Sequence, residues 1–161
     1  MATTLSSPFK WKSNNKRYLR LHGGEIRNQD GILEFTREDS SLIFTKEISQ
    51  NYSECVNQIE WFHKHSEANC YLKVEQKEEG WLIVATAHTP NDDKDDENCT
   101  LFTPEKPDIV KPNTFRIRHA QNNLYLRPQK LEQYGLDAAL CAVSSKPDDT
   151  GEVDVFTITG S

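Results

Sequence analysis

Short apolar segments, many of them alternating with polar residues, run along this 161-residue chain between clusters of glycine, asparagine, aspartate and proline. Such segments are typical of half-buried β-strands, because successive strand side chains point to opposite faces of a sheet. Helical periodicity is weak, and residues 130–142 form the one stretch for which a helix is considered. The pattern therefore predicts an all-β protein.

Three segments of the chain read alike, each with a tyrosine and a leucine before a basic residue. They are SNNKRYLRL at 13–21, EANCYLKV at 67–74 and AQNNLYLRP (with proline after the basic residue) at 120–128. Tyr71 lies 53 residues after Tyr18, and Tyr125 lies 54 residues after Tyr71. This self-similarity indicates an internal repeat of about 53 residues.

The flanks of the three segments repeat as well. Each has an alternating apolar pair upstream, an apolar run downstream and a second apolar run at its close. The pairs are Phe9/Trp11, Ile59/Trp61 and Phe115/Ile117, the downstream runs are 32–35, 81–84 and 140–143, and the closing runs are 42–44, 100–102 and 155–158. Four strands per unit, about twelve in all, predict a β-trefoil, in which hairpins close a barrel with pseudo-threefold symmetry and leave no exposed edges.

The expected organisation is one domain over 1–161 with repeats at approximately 8–53, 54–108 and 109–161. Leu19, Leu72 and Leu126 are expected in the core, because their neighbours in each tyrosine-leucine segment face the other way. The alternative is a β-sandwich in which the tyrosine-leucine pairs coincide by chance. The asparagine pairs 14–15 and 122–123 suit turn positions with positive φ.

Charge and hydropathy narrow the function classes. The net charge is −6, and residues 91–98 read NDDKDDEN. The one basic cluster is small and is expected to be solvated strand surface, so nucleic acid is not a predicted partner; it comprises Lys10, Lys12, Lys16, Arg17 and Arg20. The longest apolar stretch, 81–85, is far below the ~18 residues of a membrane span. No secretory h-region is visible, so we expect a cytoplasmic protein, with a nucleocytoplasmic location as the alternative.

Neither a metal, a cofactor nor catalysis is predicted. Cys55, Cys70, Cys99 and Cys141 form no C-x-x-C pair and are expected to be reduced and mostly buried. A zinc site would need more than the pair His63 and His65, with His22 and Cys55 elsewhere. The acidic segment 91–98 lacks the glycine and terminal glutamate of a calcium loop, and it is expected to be exposed and dispensable. No common catalytic motif occurs, so a non-enzyme is expected.

Several of these segments together resemble the amaranthin-like agglutinin domain of plants. They are FKWKSNNKRYLRL at 9–21, CYLKV and GWLIVATA within 70–87, CTLFTP at 99–104 and DTGEVDVFTI at 149–158, and the resemblance covers about residues 8–159. It implies a β-trefoil lectin that recognises galactose or N-acetylgalactosamine, with glycans or glycoproteins as partners. It also implies a homodimer whose sugar sites lie between subunits. Some members of the family carry a pore-forming module, whereas here one agglutinin domain is expected.

The predicted sugar site is centred on Trp81. A lectin needs an aromatic ring against the apolar face of a sugar and a few polar groups to read its hydroxyls. In the family the residues before this tryptophan are similar to Asn-His-Tyr-Trp, whereas here Glu78, Glu79 and Gly80 precede Trp81. The two glutamates and His88 are further candidate contacts, with a solvated turn and an exposed loop as the alternatives. Trp11 and Trp61 are expected in the core or at an interface.

Two functions therefore stay open from the sequence. The first is a non-catalytic carbohydrate-binding lectin, in which Trp81 is the stacking residue. The second is a protein-interaction or inhibitor-type trefoil that has lost sugar binding, and the replacement of the family's amide and tyrosine before Trp81 keeps this alternative open. Trp81 itself is either a sugar platform or an ordinary core residue.

Overall fold

The computed structural model describes residues 9–22, 31–38, 44–48, 61–65, 70–77, 80–105 and 113–160. Strands account for nearly all the regular structure in these ranges. They are β1 Phe9–Lys12, β2 Tyr18–Leu21, β3 Leu33–Thr36, β4 Phe44–Ile48, β5 Trp61–His65, β6 Cys70–Lys77, β7 Gly80–Ala87, β8 Leu101–Glu105, β9 Thr114–His119, β10 Tyr125–Leu131, β11 Leu136–Ser144 and β12 Val155–Gly160. The described residues of every predicted apolar segment fall on or beside one of these strands.

Antiparallel pairings close the sheet into a barrel. From β1 the order runs through β12, β9, β8, β5 and β4, and β4 pairs with β1 again. The remaining strands form the hairpins β2–β3, β6–β7 and β10–β11, which branch from the barrel and pair with one another through β11. A barrel capped by three hairpins is the architecture of a β-trefoil, in agreement with the predicted fold class.

The main core fills the space between the barrel and the inner face of the hairpins. Leu19, Leu72 and Leu126, the leucines of the three tyrosine-leucine segments, are all fully buried there, as predicted. Trp11 is also fully buried, and its ring packs edge-on against Phe44 and Phe156 at centroid distances of 5.7 and 5.5 Å. Trp11 is therefore a core residue, whereas the side chain of Trp61 lies outside the described residues.

A second apolar cluster covers the outer face of the hairpins where they meet. It joins Ile32 on the first hairpin, Leu82 and Val84 on the second, and Leu131, Leu136, Ala139 and Cys141 on the third. Strand alternation explains the two clusters, since Ile83 and Ala85 face the main core while Leu82 and Val84 face outward. β7 and β11 are thus buried on both faces where the hairpins meet.

Residues 130–142, where a helix was considered, form the end of a hairpin instead. β10 stops at Leu131, a three-residue 3-10 turn spans Glu132–Tyr134, and Gly135 has φ 66° before β11 begins. Leu131 and Leu136 pair across this turn and are both buried in the second cluster. The apolar spacing that resembles a helical repeat arises from these two strand ends. Within the described residues, no helix is long and apolar enough to cross a membrane.

The asparagine pairs behave differently in their two turns. Asn123 has φ 58°, as predicted, but in the first turn the positive φ of 66° belongs to Lys16 rather than to Asn14 or Asn15. The first turn closes with a Lys16 N–H to Ser13 carbonyl hydrogen bond of 2.9 Å. The side chains of Asn14 and Asn15 are positioned by hydrogen bonds, from Asn14 Nδ2 to the Gly151 carbonyl and from Ser13 Oγ to Asn15 Oδ1.

Three of the four cysteines lie in the described residues. Cys70, Cys99 and Cys141 are buried and form no disulfide bond, which agrees with the prediction of reduced, buried thiols. Cys55 lies outside the described residues.

Among the described residues, His119 is a buried histidine that has no charged partner. His119 is fully buried, its ring meets Phe102 edge-on at a centroid distance of 5.1 Å, and Nε2 donates a hydrogen bond of 2.9 Å to the carbonyl of Cys99. Burial lowers the pKa of His119 from 6.5 to about 4, against the opposing effect of that carbonyl. The native protein therefore holds this imidazole neutral at pH values where an unfolded chain protonates it.

We expect this histidine to make the fold sensitive to acid. Because the native pKa is lower than the unfolded one, the unfolded state binds more protons between pH 6.5 and 4, and stability falls as pH decreases through that window. The pKa difference corresponds to about 3 kcal/mol. Chemical unfolding at pH 7, 5.5 and 4 measures the loss, and His119→Gln is expected to lose distinctly less over the same range. Equal slopes for the two proteins would contradict the prediction.

The acidic segment 91–98 is a compact loop with paired ends. The Asn91 N–H donates to Thr100 Oγ1 at 2.7 Å, and the Thr100 N–H donates to the Asn91 carbonyl at 2.8 Å. Asp93, Lys94, Asp95, Glu97 and Asn98 are exposed. The predicted exposure is therefore confirmed for most of the loop.

Deleting residues 93–97 is expected to change the free energy of unfolding by less than ~1 kcal/mol, because loop-closure entropy depends weakly on length and the paired ends remain. Thr100→Ala is the matched control. Thr100 is fully buried, and removal of its hydroxyl is expected to cost about 1–3 kcal/mol. Thermal or chemical unfolding, with and without calcium, gives both values. A large loss on deletion, or strong stabilisation of the native loop by calcium, would contradict this account.

Candidate functional site

Trp81 lies near the tip of the β6–β7 hairpin. It follows Gly80, the first residue of β7, and pairs with Gln76 of β6 on one side and Ala142 of β11 on the other. The side chain is half-buried and packs against the main core. Its inner part is thus fixed by the core while part of the ring surface stays accessible. Trp81 is therefore not a fully buried core residue.

An exposed amide lies directly across from the tryptophan. Gln76 is exposed on β6, and its Cα partner in the register is Trp81. Directly opposed residues share one face of the sheet with Cβ atoms about 4.5–5.5 Å apart. An aromatic ring and an amide side chain therefore stand next to each other on an accessible surface. Sequence reasoning missed Gln76, although placing the turn at 78–79 would have paired it with Trp81.

Of the three predicted sugar contacts that directly precede Trp81, the structure describes Gly80. Gly80 has φ 128°, and a Cβ built there would meet nothing within 4 Å. It lies on the opposite face of β7 from Trp81, beside Leu131, Tyr134 and Cys141 and a small cavity of about 10 Å³. Glu78 and Glu79 lie outside the described residues.

His88 does not share a site with Trp81. It follows the last residue of β7, whereas Trp81 is the second residue of that strand, so at about 3.3 Å per residue the two are separated by roughly 23 Å. His88 is exposed, and its Nδ1 lies 3.8 Å from the Sγ of Cys70 at the far end of the hairpin. The interpretation that His88 reaches the Trp81 site is wrong, because β7 is one extended strand that holds the two residues apart.

In the parts of the chain that the structure describes, no group of three histidine, cysteine, aspartate or glutamate side chains is arranged to hold a metal ion. His22, one of the zinc candidates, lies 2.9 Å from Glu34, measured from Nδ1 to Oε2. In the acidic loop, Asp96 accepts hydrogen bonds from the Asn98 N–H and the Asn91 side chain, which lower the pKa of its carboxyl. The Asp96 carboxylate thus stabilises the loop itself.

The sequence as a whole matches one family. A model of the Agglutinin domain matches residues 7–160. The chain belongs to the agglutinin-domain family. This confirms the resemblance seen in the sequence and makes the protein a lectin-type domain. No curated protein matches this agglutinin domain in sequence.

Solved structures that resemble this agglutinin domain share its fold at low identity. A Caenorhabditis elegans protein of unknown function has a TM-score of 0.65 at 13% identity, with 99% of this chain and 96% of that chain covered. A Culex salivary protein of the Cysteine and Tryptophan-Rich family has a TM-score of 0.65 at 12% identity, covering 100% and 99%. Chicken interleukin-1 beta has a TM-score of 0.63 at 7% identity, covering 99% and 97%. At these identities the likeness concerns the fold alone.

Proposed function

We propose that this agglutinin domain is a non-catalytic lectin that binds glycans ending in galactose or N-acetylgalactosamine. The observation that carries the proposal is the half-buried Trp81 beside the exposed Gln76 at a hairpin tip, in a chain of the agglutinin family. Family membership supports glycan binding, and the choice of sugar rests on the resemblance to amaranthin-like lectins.

In this proposal the indole ring of Trp81 and the amide of Gln76 contact different parts of the sugar. The apolar C–H face of a pyranose is attracted to an indole face, and the hydroxyls need groups that both donate and accept hydrogen bonds. Gln76 offers an NH₂ donor and a carbonyl acceptor next to the ring. The core contacts of Trp81 hold the indole in place, so little side-chain entropy is lost when a sugar binds.

The hairpin turn supplies further polar groups in this proposal. Glu78, Glu79 and Gly80 stand where the resembled family has asparagine, histidine and tyrosine, and the two glutamate carboxylates accept hydrogen bonds from sugar hydroxyls. This replacement changes the pattern of donors and acceptors around Trp81. We therefore expect a monosaccharide preference of the family type with altered selectivity among disaccharides.

Avidity is part of the proposal. One shallow sugar site gives an affinity of only a few kcal/mol, which is roughly the millimolar range. We propose a homodimer with the sugar sites at the subunit interface, since two linked sites raise apparent affinity by ~10²–10⁴. We further propose that the protein acts in the cytoplasm or nucleus.

We also propose that the domain spans the whole chain as three repeats of about 53 residues. The equivalent positions of the three tyrosines in the strand pairings support this repeat. Tyr18 pairs with Lys12, Tyr71 with Lys64 and Tyr125 with Arg118, so each tyrosine joins a hairpin strand to the barrel strand before it.

The experiment is a displacement measurement on a surface that carries multivalent N-acetylgalactosamine. The protein is expected to bind and to be displaced by free N-acetylgalactosamine and galactose at millimolar concentration, and far less by glucose or mannose. Equal displacement by all four sugars would contradict the proposed specificity. Binding to none of the sugars, alone or multivalent, would favour the protein-interaction trefoil.

A further inference from the structure

A cleft apart from Trp81 opens between the turn that joins β1 to β2 and the loop before β12. Its volume is about 150 Å³, below the ~300–1,000 Å³ of sites for drug-sized ligands. The residues that line it are Ser13, Asn14, Asn15, Arg127, Pro128 and Val153. The size limits a ligand to about one small ring.

The loop that forms one wall is held rigidly. The Asp148 carboxylate accepts hydrogen bonds from the backbone N–H groups of Thr150, Gly151 and Val153 at 3.2, 3.0 and 3.1 Å. Asn14 Nδ2 then donates to the Gly151 carbonyl at 3.1 Å and ties this loop to the opposite wall. The cleft is consequently formed before any ligand arrives.

The polar groups at the cleft offer both donors and an acceptor. The Nε of Arg127 is buried and has no hydrogen-bond partner among the described residues. Asn15 uses Oδ1 to accept from Ser13 Oγ, and Asn14 uses Nδ2 for Gly151. The Nδ2 donor of Asn15 and the Oδ1 acceptor of Asn14 are thus not used by these bonds. An unpaired buried donor is costly, so a small shift of the Arg127 side chain that brings Nε to a ligand acceptor recovers that free energy.

The charges around the cleft disfavour an anion. Backbone N–H groups, with a contribution from the positive charge of Arg127, hold the pKa of Asp148 below its usual range, so this carboxyl stays ionised. The same loop carries Asp149 and Glu152, whereas the charge of Asp154 is paired with Arg116. A phosphate or carboxylate would meet these charges, whereas neutral hydroxyl groups would not. Pro128 and Val153 add apolar surface to the lining.

We propose that this cleft is a second carbohydrate subsite, which takes one neutral pyranose ring. The ring lies against Pro128 and Val153, one hydroxyl accepts from the Arg127 Nε, and other hydroxyls meet Asn15 Nδ2 and Asn14 Oδ1. The inference rests on the proposed lectin function, but the cleft is lined neither by Trp81 nor by its register partners Gln76 and Ala142.

The test is nitrogen-15 NMR of the full chain, titrated with free galactose and with N-acetylgalactosamine up to tens of millimolar, a range set by the affinity of a single sugar site. The side-chain signals of Arg127 Nε–H, Asn15 NH₂ and Trp81 Nε1–H report the two sites separately. Inorganic phosphate serves as the anion control. Arg127→Lys keeps the positive charge and removes the Nε donor, and Asn15→Asp keeps the acceptor for Ser13 while it removes the amide donor.

We expect saturable shifts of the Arg127 and Asn15 signals with sugar and not with phosphate. The Asn15 signal in Arg127→Lys and the Arg127 signal in Asn15→Asp should each report a sugar affinity at least tenfold weaker, and both signals should still shift with sugar in Trp81→Ala. If sugar shifts only the Trp81 signal, the second subsite is wrong and the proposed function stands. If phosphate rather than sugar shifts Arg127, or if both cleft variants bind as the wild type does, the subsite is also overturned. If neither site responds to any sugar, the subsite and the lectin function both fail.

Discussion

Replacing Trp81 with alanine is expected to weaken binding to multivalent N-acetylgalactosamine by at least about thirtyfold. That factor corresponds to the ~2 kcal/mol that separates an interface anchor from ordinary contacts. Because the indole is half-buried against the main core, the variant is also expected to lose stability, but less than the ~3–5 kcal/mol of a fully buried tryptophan. Surface binding and chemical unfolding of the same preparation give the two values.

Two control variants separate the roles of this residue. Trp81→Leu keeps apolar contact with the core and removes the ring, so it should lose binding while it unfolds closer to the wild type. Gln76 is exposed, so Gln76→Ala should change the free energy of unfolding by no more than ~0.5 kcal/mol. The same variant should weaken glycan binding. If Trp81→Leu binds normally, the ring is not a sugar platform and the site lies elsewhere.

Asp154→Ala is expected to destabilise the protein by about 3–5 kcal/mol, because it leaves a buried charge without its partner. Arg116 is almost fully buried and donates from Nε to the Asp154 carboxylate at 2.9 Å. The second Asp154 oxygen accepts from the Asp148 N–H at 2.9 Å, and Arg116 Nη2 donates to the Asp148 carbonyl at 2.8 Å. One buried ion pair thus anchors the loop at 148–154 to β9. Chemical unfolding measures the loss.

The matched control for this ion pair is Asp149→Ala. Asp149 also faces Arg116, at 3.4 Å, but its side chain is 80% exposed, so water and salt screen the interaction and its loss is expected to cost less than ~1 kcal/mol. Similar losses for the two variants would show that burial does not govern this network.

The strands and the core leucines could be predicted because alternation and repeat spacing are local signals. The burial of Leu19, Leu72 and Leu126 could be predicted from the tyrosine-leucine pattern, because successive strand side chains point to opposite faces and the leucine faces the core. The 3-10 turn at Glu132–Tyr134 was harder to predict, since two strand ends joined by four residues reproduce a helical spacing. Gly135 was the signal for the break, as a residue with positive φ ends the turn.

The candidate site was predicted only at its centre. Trp81 could be found from its position after a charged turn, but Gln76 required the register of the hairpin and His88 required the length of β7. The Arg116–Asp154 pair joins residues 38 apart in the chain, and no local pattern marks such a contact. The cleft at Arg127 likewise arises from three separate segments that only the closed barrel brings together.

Glycan binding by the wild-type protein is the central claim, and a glycan array with multivalent presentation tests it most directly. We expect signal on glycans that end in galactose or N-acetylgalactosamine, and loss of that signal in Trp81→Ala. A wild-type protein that is folded and binds no glycan on the array would contradict the lectin function for this chain.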